Sequence, residues 1–146
     1  MTLVLLTSGG LDSTMMALLA VDEGIEIHPL FVNYGQRAAE REWRACNTVF
    51  RRHRLPAPHR MSVRGYGSSV PSGLTSRKLD VVADVYLPGR NLFLLLCGAG
   101  YATRVGASGV AIGLLDENTV YSRTNRRPSF LVLRHYFVQR RPRTSP

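Results

Sequence analysis

Short apolar runs alternate along the chain with longer stretches of helical periodicity. Thr2–Thr7 and Ile25–Val32 are apolar runs typical of buried strands, and Gly109–Leu115 is a similar run between glycine-rich turns. His59–Val63 has the same pattern in a weaker form. We therefore predict four strands, separated by three helices that run from Leu11 up to Gly24, from about Ala38 to His53 and from Asn91 to Val105.

Each predicted helix has apolar residues at a spacing that would place them on one face. Asn91 is the predicted cap of the third helix, because its side chain can accept a hydrogen bond from the first helical turn. The apolar sets are Leu11, Met15, Leu18 and Leu19 in the first helix, Ala39, Trp43, Cys46 and Phe50 in the second, and Leu92, Leu95, Leu96, Ala99 and Ala102 in the third.

Strands that alternate with helices predict an α/β fold, in which a parallel sheet carries helices on both faces. We expect one domain over residues 1–137, with a further helical segment after Ser129, and a disordered arginine- and proline-rich tail over 138–146. The glycine- and serine-rich segment Arg64–Ser76 indicates a mobile loop. Ligands of such sheets bind beyond the carboxyl ends of the strands, so the informative loops are 7–13, 33–37, 87–91 and 113–125.

Composition narrows the class of protein further. With 146 residues and 45% hydrophobic content, the chain can bury the core of a single globular domain. Its longest apolar runs, Leu3–Leu6 and Leu92–Cys97, are too short to cross a bilayer, and no secretory signal is visible, so we expect no membrane partner and a cytoplasmic location. Two cysteines make neither a disulfide framework nor a zinc knuckle, and we expect no zinc site.

The net charge of +9 is unevenly distributed. Residues 1–36 carry a net charge of −4, and the rest of the chain carries +13. Eighteen of the 19 basic residues are arginines. We interpret most of them as a solvated surface, and nucleic acid is not the expected partner.

The turn after the first strand carries the clearest chemical signal. Two adjacent glycines let a backbone approach an anion closely, and the free N–H groups of a first helical turn can donate to a phosphate. A carboxylate beside a phosphate site suggests an intervening Mg²⁺ ion, which Asp12 would hold. No lysine of the Walker pattern is present. The alternative is a sharp turn that only begins a helix. The sequence of the turn is Ser8-Gly9-Gly10-Leu11-Asp12-Ser13-Thr14.

Three motifs in order resemble a known group of enzymes. The turn Ser8–Ser13 is similar to the signature of the PP-loop ATP pyrophosphatases, which have an adenine nucleotide alpha hydrolase-like, Rossmann-like fold. Phe31–Arg37 with Glu40, and Leu87–Asn91, resemble the corresponding segments of the 7-cyano-7-deazaguanine synthase family of queuosine biosynthesis. The resemblance implies a ligase that uses ATP and Mg²⁺ to activate a small-molecule carboxylate as its acyl-adenylate, followed by amidation or nitrile formation with ammonia or an amine donor.

The resemblance also assigns residues to the site. It implies that Asp12, Arg37 and Arg90 are catalytic, and that Asp12 contacts the magnesium of ATP. The ATP-binding residues would be Ser8, Gly9, Gly10, Leu11, Asp12, Ser13, Thr14, Phe31, Val32 and Asn33, with the strand backbone at Phe31–Asn33 contacting adenine. The substrate residues would be Tyr34, Gln36, Glu40, Asn91, Gly113 and Asp116.

Plainer roles compete with several of these assignments. Gln36 could cap a helix, Glu40 could pair with Arg44, and Asn91 could only cap its helix. Asp116 could belong to an ordinary turn. Other functions also remain open: a tRNA-modifying thiolase of the same superfamily, or a truncated paralogue that binds nucleotide or a partner without turnover. A second copy or a partner chain could complete the site.

Overall fold

The computed structural model describes residues 1–113 and the backbone of residues 130–134. The four predicted strands and the three predicted helices are all present through residue 113, and one short helix that was not predicted lies between the third strand and the third predicted helix. The strands are β1 (Thr2–Leu6), β2 (Glu26–Asn33), β3 (His59–Ser62), β4 (Gly109–Gly113) and β5 (Phe130–Arg134). The helices are α1 (Leu11–Asp22), α2 (Ala39–Arg52), α3 (Gly65–Ser69) and α4 (Arg90–Val105).

The strands form one sheet in the order β3-β2-β1-β4-β5. The first four are parallel, and their registers align Leu5 of β1 with Pro29 of β2 and with Ala111 of β4. β5 is antiparallel to β4, with Ala111 opposite Val132. The four-stranded parallel sheet confirms the predicted α/β class.

Helices cover both faces of the sheet, also as predicted. On one face, Leu5 and Phe31 pack with α1 and α2, and Phe50 of α2 is fully buried there. On the other face, Val4 and Leu30 pack with α4. Alternate residues of β1 and β2 thus contribute to two separate cores, which is why Leu3–Leu6 and Leu30–Val32 are apolar at every position.

The apolar spacing that predicts the helices identifies the buried face of α2, but only part of the core-facing residues of α1 and α4. Ala39, Cys46 and Phe50 are buried in α2. In α1, by contrast, Leu11 is 77% exposed, and the helix contacts the sheet through a smaller set of residues. Leu92 and Leu96 of α4 are likewise exposed, while Gly98 and Ala102 are buried. Small residues occupy the buried positions of α4 because they let the helix approach the sheet closely. A Cβ atom on Gly98 would lie 2.6 Å from Val110 Cγ1.

Three local predictions are wrong. The segment after Ser129 is not helical over 130–134 but is the strand β5, because a short apolar run fits either element and pairing with β4 decides between them. α4 begins at Arg90, so its cap is Gly89 (φ +69°) and not Asn91. The segment Arg64–Ser76, predicted as a loop throughout, contains the helix α3 and a series of hydrogen-bonded turns. The predicted tail over 138–146 lies outside the described residues.

No helix among the described residues is long and apolar enough to cross a membrane.

Candidate functional site

The sheet order places the candidate site where the chain changes direction. From β1 the chain first proceeds outward through β2 and β3, and then returns to add β4 on the opposite side of β1. α1, which follows β1, and α4, which leads into β4, pack on opposite faces of the sheet. The crevice at the carboxyl ends of β1 and β4 is the usual ligand site of open parallel sheets. The Ser8–Ser13 turn follows β1, and Gly113 ends β4.

A cleft of about 310 Å³ lies at this edge of the sheet. Four segments that are distant in sequence form its walls: the turn after β1, the end of β2 with the start of α2, the start of α4 and the end of β4. The lining residues are Leu6, Thr7, Ser8, Gly10, Leu11, Asp12, Ser13, Leu30, Phe31, Val32, Tyr34, Gln36, Glu42, Arg90, Asn91, Leu94, Ile112 and Gly113.

The turn after β1 is held by its own hydroxyl groups. Thr7 Oγ1 donates to Ser13 Oγ at 3.3 Å, and Ser13 Oγ donates to the carbonyl of Gly10 at 3.1 Å. Thr14 Oγ1 donates to the same carbonyl at 2.8 Å. Thr14 is buried and lies outside the cleft lining, so its hydroxyl shapes the turn rather than facing the cleft.

The first turn of α1 offers free donors to the cleft. In the described part of the chain, no residue accepts a hydrogen bond from the backbone N–H groups of Leu11, Asp12 or Ser13. All three residues line the cleft. Such N–H groups at the amino end of a helix favour an anion, so the turn fits a phosphate group.

The two glycines of the turn have different roles. Gly9 has φ +76°, and a Cβ atom there would lie 2.5 Å from the backbone nitrogen of Cys46. It does not line the cleft. Gly10 lines the cleft, has φ −75°, and a Cβ atom there would contact only Ser8 Oγ, at 3.4 Å. Gly9 therefore lets α2 approach the turn, while Gly10 leaves the cleft floor open.

Asp12 fits a divalent cation by position and chemistry. Asp12 is exposed, lines the cleft and makes no ion pair with any described residue. Gly113 leaves space beside it, because a Cβ atom on Gly113 would lie 3.5 Å from Asp12 Cβ. Mg²⁺ in proteins is usually bound by one or two carboxylates together with substrate phosphates, so a carboxylate next to N–H groups that fit a phosphate could hold it.

A buried amide organises the opposite wall. Gln36 Oε1 accepts a hydrogen bond from the backbone N–H of Tyr34 at 3.0 Å, and Gln36 Nε2 donates to the carbonyl of Val32 at 3.2 Å. Gln36 Nε2 also donates to Glu42 Oε2 at 3.1 Å. This network fixes the chain between β2 and α2 and directs one carboxylate, that of Glu42, towards the cleft lining.

Arg90 is the cation of the cleft. It begins α4, and its backbone N–H donates to the carbonyl of Leu87 at 3.2 Å. Burial raises the pKa of the Tyr34 hydroxyl, and the positive charge of the Arg90 guanidinium opposes that rise. Tyr34 and Arg90 thus face the same space from different elements.

Several residues assigned by resemblance lie away from the cleft. Arg37 Nη1 donates to the carbonyl of Gly73 at 3.3 Å. Glu40 pairs with Arg60, which lowers the pKa of the Glu40 carboxyl, rather than with Arg44. The structure brings neither to the cleft.

Two further assigned residues have other positions. Asn33 is buried, and its side chain accepts a hydrogen bond from the backbone N–H of Gly35 at 3.1 Å. Asp116 lies outside the described residues. Asn91, in contrast, lines the cleft, as do Phe31 and Val32.

The predicted site set lacks six residues of the lining: Leu6, Thr7, Leu30, Glu42, Leu94 and Ile112. Glu42 is the most significant, because it adds a carboxylate. Glu42 lies two residues after Glu40, and residues two apart on a helix project from different faces. This geometry could have identified Glu42 once the start of α2 was known.

The cysteines have the character of packing residues. Cys46 is fully buried, and burial raises the pKa of its thiol. Burial also raises the pKa of Cys97. Neither is activated as a nucleophile. Among residues 1–113, no group of three or more histidine, cysteine or acidic side chains is arranged to hold a metal ion.

Comparison with known proteins gives one consistent family. The family model described as queuosine biosynthesis protein QueC matches residues 2–130. The 7-cyano-7-deazaguanine synthase of Nautilia profundicola is 32% identical over 124 residues, which are 80% of this chain and 56% of that protein. The synthase of Chlorobium limicola is 33% identical over 129 residues, 82% of this chain and 57% of that protein.

The match to the family model begins at residue 2 and extends through the cleft. The chain spans a little over half the length of these relatives. Because the family model covers the turn after β1, the β2–α2 connection, the start of α4 and β4, every wall of the cleft lies within the matched range. The chain belongs to the QueC family.

Proposed function

We propose that this chain binds ATP with Mg²⁺ in the cleft and activates a carboxylate as its acyl-adenylate, on the way to a nitrile or amide, in the manner of the 7-cyano-7-deazaguanine synthases it resembles. The observation that carries the proposal is the meeting of three features in one cleft. These are the N–H groups after β1 that donate to no described residue, the carboxylate of Asp12, which makes no ion pair with any described residue, and the guanidinium of Arg90.

The turn after β1 would bind the phosphates. The N–H groups of Leu11, Asp12 and Ser13 donate without a competing acceptor in the described chain, and Gly10 presents no side chain to obstruct them. Asp12 would hold Mg²⁺, which neutralises phosphate charge and makes pyrophosphate a better leaving group when it is bound. The hydroxyls of Thr7 and Ser13 would keep this geometry fixed before ATP arrives.

Arg90 would act on the reacting phosphorus. In the proposed step, a carboxylate oxygen attacks the α-phosphorus of ATP, a new oxygen–phosphorus bond forms, and the bond to the pyrophosphate oxygen breaks. Negative charge grows on the oxygens of the α-phosphate during this exchange, and a preorganised guanidinium stabilises it. The nitrogen donor then attacks the acyl carbon and expels AMP.

The wall formed by Tyr34, Gln36 and Glu42 would face the carboxylate substrate or the nitrogen donor. Glu42 accepts a hydrogen bond from Gln36 and has acceptor capacity left for an incoming N–H group. The hydroxyl of Tyr34 stays protonated at neutral pH, because burial raises its pKa, and it can donate to a substrate oxygen.

The decisive experiment measures the products of ATP turnover. The chain is incubated with Mg²⁺, ATP labelled at the α-phosphate, ammonium and a panel of carboxylates that includes the carboxylate analogue of 7-cyano-7-deazaguanine. We expect AMP and pyrophosphate to form only with a matching carboxylate, and pyrophosphate exchange into ATP to require the same compound. ADP and phosphate would contradict the proposal. ATP binding without either product would favour a nucleotide-binding role without turnover.

A further inference from the structure

The short helix α3 contacts both sides of the cleft without lining it. On one side, the backbone N–H of Gly67 donates to the carbonyl of Tyr34 at 2.9 Å. The approach is close, because a Cβ atom on Gly67 would lie 2.4 Å from that carbonyl oxygen. The preceding residue Val63 also donates its N–H to the carbonyl of Asn33 at 2.8 Å. α3 is therefore fixed to the end of β2.

On the other side, Tyr66 of α3 holds the start of α4. Its ring stacks on the ring of Phe93, with centroids 4.0 Å apart and an interplanar angle of 5°. Its hydroxyl donates to the carbonyl of Pro88. One side chain thus contacts both the first turn of α4 and the turn that precedes it.

The turn that Tyr66 contacts determines where Arg90 lies. Pro88 and Gly89 connect Leu87 to Arg90, and the Arg90 N–H donates to the Leu87 carbonyl at 3.2 Å. Gly89 has φ +69°, so this turn depends on a flexible residue. A hydrogen bond to the Pro88 carbonyl and a stack on Phe93 restrain both ends of that flexible link.

We propose that Tyr66 is a positioning residue, which holds the Pro88–Gly89 turn so that Arg90 faces Tyr34 across the cleft. α3 links the two walls: Gly67 binds the backbone of Tyr34, and Tyr66 binds the turn before Arg90. The consequence for turnover rests on the proposed function of Arg90. The consequence for the position of Arg90 does not.

The first test reads the position of Arg90 directly. The chain is labelled with ¹⁵N-arginine, and the Arg90 Nε–H signal is identified as the one absent from Arg90→Lys. Tyr66→Phe keeps the ring stack and removes only the hydroxyl. We expect it to shift or broaden the Arg90 signal. Tyr86→Phe is the matched control, because Tyr86 is 77% exposed and its hydroxyl makes no hydrogen bond to any described residue, and it should leave that signal unchanged.

The second test reads turnover. Tyr66→Phe should lower kcat for AMP formation about 3- to 10-fold, the effect of one lost hydrogen bond on a group that acts in the transition state, with the KM for ATP changed by less than about 2-fold. In an Arg90→Lys background the same substitution should have almost no further effect, because both changes act through one guanidinium. A merely structural role would lower the melting temperature without this loss of additivity.

The outcomes separate the two proposals. If Tyr66→Phe leaves both the Arg90 signal and kcat unchanged, the positioning role is overturned. If the parent chain makes no AMP, the proposed function fails and the Arg90 signal alone decides the positioning role. Should Tyr66→Phe fail to fold, Phe93→Leu removes the stack while leaving the hydroxyl, and an unchanged Arg90 signal in that variant would likewise overturn the proposal.

Discussion

The Cα atom of Gly9 lies against the backbone of Cys46, so close that a side chain on Gly9 would place its Cβ atom 2.5 Å from the Cys46 nitrogen and 2.6 Å from its Cα atom. This contact joins the turn after β1 to α2. It explains why two adjacent glycines are needed where a phosphate site alone would need only one open position. Gly9 serves the packing of α2, and Gly10 serves the cleft.

Gly9→Ala should therefore destabilise the fold, whereas Gly10→Ala should not. At Gly9 the added methyl group meets backbone atoms that cannot move aside, and φ +76° is unfavourable for alanine, so we expect a loss of about 2 kcal/mol or more in the free energy of unfolding. At Gly10 the nearest atom is Ser8 Oγ at 3.4 Å, and φ is −75°. Urea unfolding of both variants measures the difference. Equal stabilities would contradict the packing role of Gly9.

The sequence could predict the sheet and the location of the site, because both depend on features that are local. Apolar runs between glycines identify β1, β2 and β4, and the glycine-rich turn after β1 identifies the phosphate side of the cleft. Position beyond the carboxyl ends of parallel strands then follows from topology alone. Arg90 was likewise predicted as a site residue, and it lines the cleft.

The sequence could not predict all the residues that face the core in α1 and α4, because the spacing of large apolar side chains does not determine how these helices pack on the sheet. Leu92 and Leu96 have core-like spacing yet are exposed, while Gly98 packs on Val110. Close helix-to-sheet packing rewards the absence of a side chain, which hydrophobic periodicity does not record. Pairing between distant strands similarly decided that 130–134 forms a strand.

The same limit applies to the acidic residues of α2. Glu40 and Glu42 are equivalent in a sequence motif, but Arg60 on β3 binds the carboxylate of Glu40 outside the cleft, and Gln36 binds that of Glu42 at the cleft. The distinction depends on β3, which follows α2 by several residues and is the weakest strand in the sequence pattern. The sequence motif alone does not separate the two, and helix geometry separates them only once the start of α2 is known.

This difference gives a matched pair of variants. Glu42→Gln should reduce AMP formation about 10-fold or more, because it removes the one carboxylate that α2 contributes to the cleft lining and replaces it with a neutral group. Glu40→Gln, two residues away on the same helix, should retain nearly the full rate. Initial rates of AMP release at saturating ATP measure both.

Equal losses in the two variants would contradict the placement of Glu42 in the substrate wall. A loss confined to Glu40→Gln would restore the assignment that the sequence motif implied. Melting temperatures of the two variants provide the control, since Glu42 also accepts a hydrogen bond from Gln36 and its replacement could act through folding.

The pair between Glu40 and Arg60 predicts a pH dependence of stability. The Arg60 guanidinium holds the pKa of the Glu40 carboxyl below its ordinary value. A carboxyl whose pKa is lowered in the folded state stabilises that state above its unfolded pKa, and the contribution is lost as pH falls through the folded pKa. The parent chain should therefore melt at a higher temperature than Glu40→Gln at pH 7, and the difference should shrink as pH falls below about 4.5.

Because this pair is exposed, the difference should be small and should also shrink in high salt. Differential scanning fluorimetry of both proteins from pH 7 to pH 3, at low and high ionic strength, measures it. A melting-temperature difference that stays constant across the pH range would show that Glu40 acts through packing and not through its charge.

Arg90→Ala should abolish most turnover while leaving most ATP binding intact. The N–H groups that would bind the phosphates belong to α1, whereas Arg90 lies on another wall of the cleft, at the start of α4. Ground-state affinity for ATP then depends mainly on the α1 side. In the proposed step, the charge that appears on the α-phosphate during attack by the carboxylate faces Arg90, and removing one such preorganised contact lowers kcat by about 10²- to 10³-fold.

Arg104→Ala is the matched control, since Arg104 is an exposed residue in the last turn of the same helix. Calorimetry gives ATP affinity for the three proteins, and labelled AMP gives the rates. A large loss of ATP affinity in Arg90→Ala with an unchanged rate at saturation would place Arg90 in ground-state binding and contradict its role in the chemical step.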